Sequence, residues 1–136
     1  MEITYALNEV DDVAKQLVNQ LSSKIILLYG AMGVGKTTLV RSITKALGGN
    51  ENEVSSPTYS IVNEYEIDNN LLYHFDLYRL NNLEEAYNFG IEEYLYSDHW
   101  IIVEWPELIK PILPDHFTEL FLQEKSNKKR CITLKK

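Results

Sequence analysis

Apolar residues recur in steps of three and four at Val10, Val13, Ala14, Leu17, Val18 and Leu21, which lines one face of a helix. Asn8 stands where an N-cap belongs, and Asp11 follows in an acid-rich first turn. Residues 24–29 (KIILLY) then run apolar without alternation, the pattern of a strand buried on both faces as in a parallel sheet. After a glycine loop, Leu39, Val40, Ile43, Ala46 and Leu47 form a second helical stripe, and Gly48-Gly49 end it.

The pattern changes beyond residue 60. Residues 61–67 and 71–76 read as two strands joined by the turn signal Asp68-Asn69-Asn70. A short helical stretch over 83–89 stops at Gly90, and residues 100–104 (WIIVE) form another buried strand. Pro106 and Pro111 frame a loop or short helix. Residues 117–122 and 130–134 pair as a closing hairpin turning at Ser126-Asn127-Lys128. The elements predict an α/β fold with flanking helices. Its central sheet is mixed, parallel around the glycine loop and antiparallel in the middle and at the end.

A length of 136 residues predicts one domain over 1–136, large enough to bury a core without disulfides. The lone Cys131 cannot form an internal disulfide, and it reads as a small apolar strand residue. The N-terminus lacks the basic and apolar regions of a signal peptide, and no run approaches the ~18 apolar residues of a membrane helix. These features predict a soluble, cytoplasmic protein with no membrane attachment. Thirteen basic against twenty acidic side chains give a net charge of −7. Such a chain is a poor stand-alone ligand for nucleic acid, so an RNA connection would run through a partner. The basic C-terminal residues Lys125, Lys128, Lys129, Arg130, Lys135 and Lys136 read as a solvated end.

The chemistry lies in residues 30–37 (GAMGVGKT), which match G-x-x-x-x-G-K-[ST] at every fixed position. Glycines let the backbone wrap a phosphate and turn its N–H groups inward, and the following helix adds the positive end of its dipole. Lys36 reaches the outer phosphates and Thr37 offers its hydroxyl to Mg²⁺. The buried strand before the loop and the amphipathic helix after it supply the required context. ATP with Mg²⁺ is the expected ligand.

A phosphate loop of this kind needs a carboxylate near the metal, usually at the end of a buried strand. Glu104 follows the apolar run Trp100-Ile101-Ile102-Val103 and is the first candidate; a solvated acid opening a loop is the plain alternative. Asp76 is the second. Alternation puts His74, Asp76 and Tyr78 on one face and Tyr73, Phe75 and Leu77 on the other. From a strand end Asp76 could hold a metal-bound water or orient Thr58, or simply cap the next turn. Either acid could position the attacking water. His74, His99 and His116 are too scattered for a zinc site, and His74 reads as a strand-surface or hydrogen-bonded residue.

Four segments occur in order: 30–38 (GAMGVGKTT), 56–59 (SPTY), 74–80 (HFDLYRL) and 103–107 (VEWPE). Together they resemble the TsaE family, small ATPases of bacterial tRNA threonylcarbamoyladenosine synthesis, and the resemblance covers nearly the whole chain. It implies an ATPase that works with the transferase TsaD and its companion TsaB and touches tRNA only through that complex. It implies that Gly33, Val34, Gly35, Lys36, Thr37 and Thr38 hold the nucleotide and that Thr37 and Glu104 serve Mg²⁺. Lys36, Thr58, Asp76 and Glu104 would carry the reaction. Trp105 matches the Trp beside the acid, and Arg130 corresponds to a C-terminal residue near the nucleotide. Met32 and Val34 depart from the family's usual Leu and Ala, both as apolar exchanges. A small-molecule or nucleotide kinase of the same loop class is the alternative, although the chain shows no lid-like insertion and has only Arg41, Arg79 and Arg130. A GTPase is disfavoured because no Asn-Lys-x-Asp segment is present.

Overall fold

The computed structural model describes residues 1–31, 33–57 and 60–136. Seven strands form one sheet: β1 (Glu2–Tyr5), β2 (Ile25–Tyr29), β3 (Val62–Ile67), β4 (Asn70–Asp76), β5 (Trp100–Glu104), β6 (Thr118–Glu124) and β7 (Arg130–Lys135). Their order across the sheet is β1-β7-β6-β2-β5-β4-β3. β2 lies between β5 and β6, parallel to both, and β4 is parallel to β5. The pairs β3/β4, β6/β7 and β1/β7 are antiparallel. The sheet is therefore mixed in the predicted sense.

Helices α1 (Val10–Gln20) and α2 (Lys36–Ala46) pack on one face. Val13, Ala14 and Leu17 from α1 and Leu39, Val40 and Ile43 from α2 meet Ile26, Leu28, Ile102 and Leu120 there. Helices α3 (Leu83–Asn88) and α4 (Ile91–Leu95) and a 3₁₀ helix over Pro106–Ile112 cover part of the other face. That layer buries Ile25, Leu27, Phe75, Ile101, Val103 and Ile109. β2 sends consecutive residues into two cores, so its sequence cannot alternate. Truncating Leu17 or Leu39, both fully buried, to Ala would cost about 2–5 kcal/mol by the cavity left behind.

Several boundaries differ from the pattern. Asn8 is not the cap of α1: it lies inside a 3₁₀ turn, Leu7–Glu9, and Glu9 occupies the cap position. The Glu9 carboxylate accepts from the Ala6 amide at 2.8 Å, so the acid closes the turn in place of Asn8. Ile61 has φ of 71°, and β3 starts one residue later. The β3–β4 turn is the two-residue Asp68-Asn69, with Asn69 at φ 53°. β1 and α4 have no counterpart in the apolar pattern.

The parallel arrangement places the site. β2, β4 and β5 point the same way, so the phosphate loop after Tyr29 and the acids ending β4 and β5 share one rim of the sheet.

Candidate functional site

The loop after β2 is shaped by three glycines with different reasons to be there. A Cβ on Gly30 would stand 2.9 Å from the Leu122 carbonyl oxygen and 3.0 Å from a Val34 methyl, so only glycine lets the loop pass β6. Gly33 and Gly35 have φ of 77° and 105°, conformations that side-chain-bearing residues rarely adopt. Gly35 then caps α2, whose first turn carries no acid to oppose an anion. The first amides of a helix have no partner within it, so this end is open to anionic oxygens.

Around the start of α2 lies a cavity of about 400 Å³. Gly33, Gly35, Lys36, Thr37 and Thr38 line it from the loop and helix, Asp76 and Glu104 from the strand ends, and Ser56 and Trp105 complete it. The strand register explains the acids: Asp76 is paired with Glu104, and Glu104 with Leu28 just before the loop. Both carboxylates are nearly buried. Asp76 Oδ1 accepts the Tyr78 amide at 2.9 Å, so it also caps the turn leaving β4.

Lys36 is the unusual group. Only 6% of it is exposed, and its ammonium has no hydrogen-bond partner among the described residues. Nζ lies 3.8 Å from Glu104 Oε1 and 4.1 Å from the centre of the Trp105 ring. Burial pushes the ammonium below the ordinary lysine value, against the pull of the Glu104, Asp76 and Glu107 carboxylates. A buried cation with open donor positions is costly unless an anion completes it. A phosphate chain supplies such oxygens, so the loop, Lys36 and the open end of α2 fit a polyphosphate group. No group of three or more His, Cys, Asp or Glu is placed to hold a metal among the described residues. Mg²⁺ beside phosphates needs only one or two protein oxygens and keeps several waters. Thr37 together with Glu104 or Asp76 could provide them.

Arg130, at the start of β7, reaches the loop from the other side. Its Nε donates to the Val34 carbonyl at 2.7 Å, and Nη1 lies 3.6 Å from Glu124. The hairpin carrying Arg130 is thus tied to the backbone of the phosphate loop. Cys131 beside it is a buried free thiol in β7. Thr58 and Met32 lie outside the described residues. His74 is fully buried and hydrogen-bonded, with Nε2 2.6 Å from Glu104 Oε2. The chain pattern gave the face His74 occupies, but its contact with Glu104 follows only from the β4–β5 register.

Comparison with known proteins gives the arrangement a family. The model of the TsaE family, described as threonylcarbamoyl adenosine biosynthesis protein TsaE, matches residues 4–132. The tRNA threonylcarbamoyladenosine biosynthesis protein TsaE of Rickettsia conorii is 38% identical over 127 residues, covering 93% of this chain and 72% of the relative. The protein of the same name from Synechocystis sp. is 45% identical over 113 residues, covering 79% and 70%. Among solved structures, Bacillus subtilis YdiB superposes with a TM-score of 0.73 at 24% identity, over 98% of this chain and 84% of that one, a likeness of fold. No helix among the described residues is long and apolar enough to cross a membrane. The family match spans the glycine loop, both acid-bearing strands and the hairpin that holds Arg130, and the chain belongs to the TsaE family.

Proposed function

We propose that this chain is the ATP-binding and ATP-hydrolysing component of the machinery that forms N6-threonylcarbamoyladenosine in tRNA beside the anticodon. It acts in the cytoplasm with a TsaD-like transferase and a TsaB-like companion. The observation that carries the nucleotide part is the buried Lys36 ammonium, without a hydrogen-bond partner among the described residues, 3.8 Å from Glu104 in a cavity that Asp76 also lines at the open end of α2. The family membership and the printed role of its relatives support the tRNA part.

Within this reading, the loop amides and Lys36 bind the phosphates, and Thr37 with Glu104 holds Mg²⁺, which when bound neutralises charge developing on the transferred phosphoryl group. The net charge of −7 suits indirect contact with tRNA through the partners. Arg79, in the 74–80 motif, is the one internal candidate for an arginine finger, a group worth about 10³–10⁵ in rate, and hydrolysis by the isolated chain is expected to be slow until the partners bind.

The test is a pull-down with the two partners, with and without ATP, followed by turnover of the isolated chain and of the complex. Nucleotide-dependent capture and faster ATP hydrolysis in the complex are expected. Absence of capture under both conditions would remove the partner assignment. Transfer of phosphate to a small metabolite, with no hydrolysis, would restore the kinase alternative.

A further inference from the structure

Lys36 approaches one oxygen of Glu104, and the other is held from behind. Oε2 lies 2.6 Å from His74 Nε2 and, as a carboxylate oxygen, accepts the proton of the tautomer that carries it there. His74 Nδ1 lies 3.1 Å from the Tyr65 hydroxyl. That hydroxyl meets the Ser55 backbone twice, 3.0 Å from its carbonyl and 3.3 Å from its amide. Asn63 braces the junction, its Nδ2 donating to Tyr65 Oη at 3.3 Å and to the Ser55 carbonyl at 3.2 Å. A chain of hydrogen-bonding contacts therefore crosses β5, β4 and β3 and ends in the segment before Pro57. That segment returns to the cavity, which Ser56 lines together with Glu104.

Packing alone does not call for this chain. Tyr65 is 3% exposed and His74 fully enclosed, so two polar groups have been taken out of water where Leu and Phe would fill the space. Donor and acceptor counting shows what the arrangement achieves. Once Nε2–H is given to Glu104, Nδ1 offers only a lone pair. The single Tyr65 hydroxyl proton then has two acceptors, His74 Nδ1 and the Ser55 carbonyl, and serves one at a time. Glu104, the imidazole and that proton thus stand in consecutive contact.

We infer that His74 and Tyr65 are positioning residues for the nucleotide reaction. They fix the Glu104 carboxylate with Oε1 toward Lys36, and they tie its orientation to the backbone of residues 55–57. The inference rests on the proposed role of Glu104 at a Mg²⁺-nucleotide.

The experiment compares the full chain with His74→Leu, His74→Gln and Tyr65→Phe. ADP binding is measured by calorimetry in EDTA and again with MgCl₂, and backbone hydrogen exchange is followed over residues 54–57 and over β5. All three variants should bind ADP in EDTA within about twofold of the parent. His74→Leu should lose about 10-fold of the gain in affinity conferred by Mg²⁺, the usual size of an outer-sphere effect. His74→Gln, whose amide can still donate to Glu104, should recover it. Tyr65→Phe should retain most of the gain, but exchange over 54–57 should no longer respond to Mg²⁺-ADP while β5 still does. A full Mg²⁺ gain in His74→Leu, or a normal response over 54–57 in Tyr65→Phe, overturns the inference. If His74→Leu does not fold, His74→Asn takes its place, since its amide is too short to reach Glu104. A parent protein that binds no ADP in either buffer would instead defeat the nucleotide reading itself.

Discussion

Asp76 and Glu104 occupy paired positions at the ends of adjacent parallel strands, and both line the cavity that holds Lys36. They are not equivalent. Asp76 Oδ1 is engaged by the Tyr78 amide in the turn that follows β4, whereas Glu104 Oε1 points to the Lys36 ammonium. On the proposed reading, Glu104 would hold Mg²⁺ directly and Asp76 would act through a water. Glu104→Gln should lower Mg²⁺-dependent hydrolysis by about 10-fold or more while changing nucleotide affinity less. Asp76→Asn should have the smaller effect on the Mg²⁺ concentration needed for half-maximal rate. The reverse ranking in a magnesium titration would reassign the metal to Asp76.

Lys36→Ala separates stability from binding. Two effects oppose each other in the free protein. The substitution removes a buried ammonium that is costly to desolvate, and it also removes the cation facing Glu104. The unfolding midpoint without ligand should therefore move little, by less than about 4 °C, equivalent to about 1 kcal/mol. If the proposed function holds, ATP should raise the stability of the parent by mass action, about 2.7 kcal/mol at a hundredfold excess over Kd. That increment should vanish in Lys36→Ala. Calorimetric scans with and without ATP check both statements, and a preserved ATP-induced increment would refute the role of Lys36.

Away from the site, Glu119 on β6 offers a pH test of the fold. Its Oε2 accepts from the Tyr29 hydroxyl at 2.6 Å and from Lys110 Nζ at 3.0 Å. Burial pushes the carboxyl up, but these two donors outweigh it and hold the group below its ordinary value of 4.5. Burial, and after it the hydrogen bond to Glu119, push the Tyr29 hydroxyl up to about 12, with Lys110 opposing them. Because the folded state binds the Glu119 proton more weakly than the unfolded chain, the stabilisation is present above pH 4.5 and is lost as pH falls through the lower folded value. Glu119→Gln should cost about 1 kcal/mol near neutrality, since the cluster is partly exposed. Parent and variant should converge below pH 4.5 in urea unfolding. A gap that persists in acid would mean the loss is one of packing.

The legible parts of this molecule are those with fixed local spacing. The phosphate loop shows itself because strand, glycines, Lys36 and helix must follow in sequence, and the β3–β4 hairpin because Asp68-Asn69-Asn70 is a turn signal between two apolar runs, of which the structure uses the first two residues. Strand β1 does not show itself: four residues with one buried side chain, Tyr5, owe their extended form to pairing with β7. Helix α4 is hidden by Gly90, which stops α3 and, at φ 73°, also starts α4. Asp76 and Glu104 are visible as acids at strand ends, but their adjacency depends on the parallel β4–β5 register. The enclosure of His74 depends on the same register, which no local pattern encodes.

Trp105 gives the final prediction. It follows Glu104 directly, at φ 55°, a left-handed conformation in which the chain turns sharply out of β5. The turn lays the indole against the Lys36 ammonium at 4.1 Å and against the Tyr78 ring at 4.9 Å. A cation over an indole face is held by about 0.5–2 kcal/mol, depending on its exposure to solvent. A phosphate oxygen offers the same ammonium a stronger, charge-assisted hydrogen bond. Nucleotide binding should therefore draw Lys36 from the ring and alter the surroundings of Trp105. Trp100 begins β5, so it stands at the opposite end of the strand and should report nothing. In a Trp100→Phe background the emission of Trp105 should change and saturate with added ATP. In the same background Lys36→Ala should change the emission of the free protein, because the cation is gone before any ligand arrives. Emission that is indifferent to both ATP and Lys36→Ala would show that the ammonium does not rest on the Trp105 ring in solution.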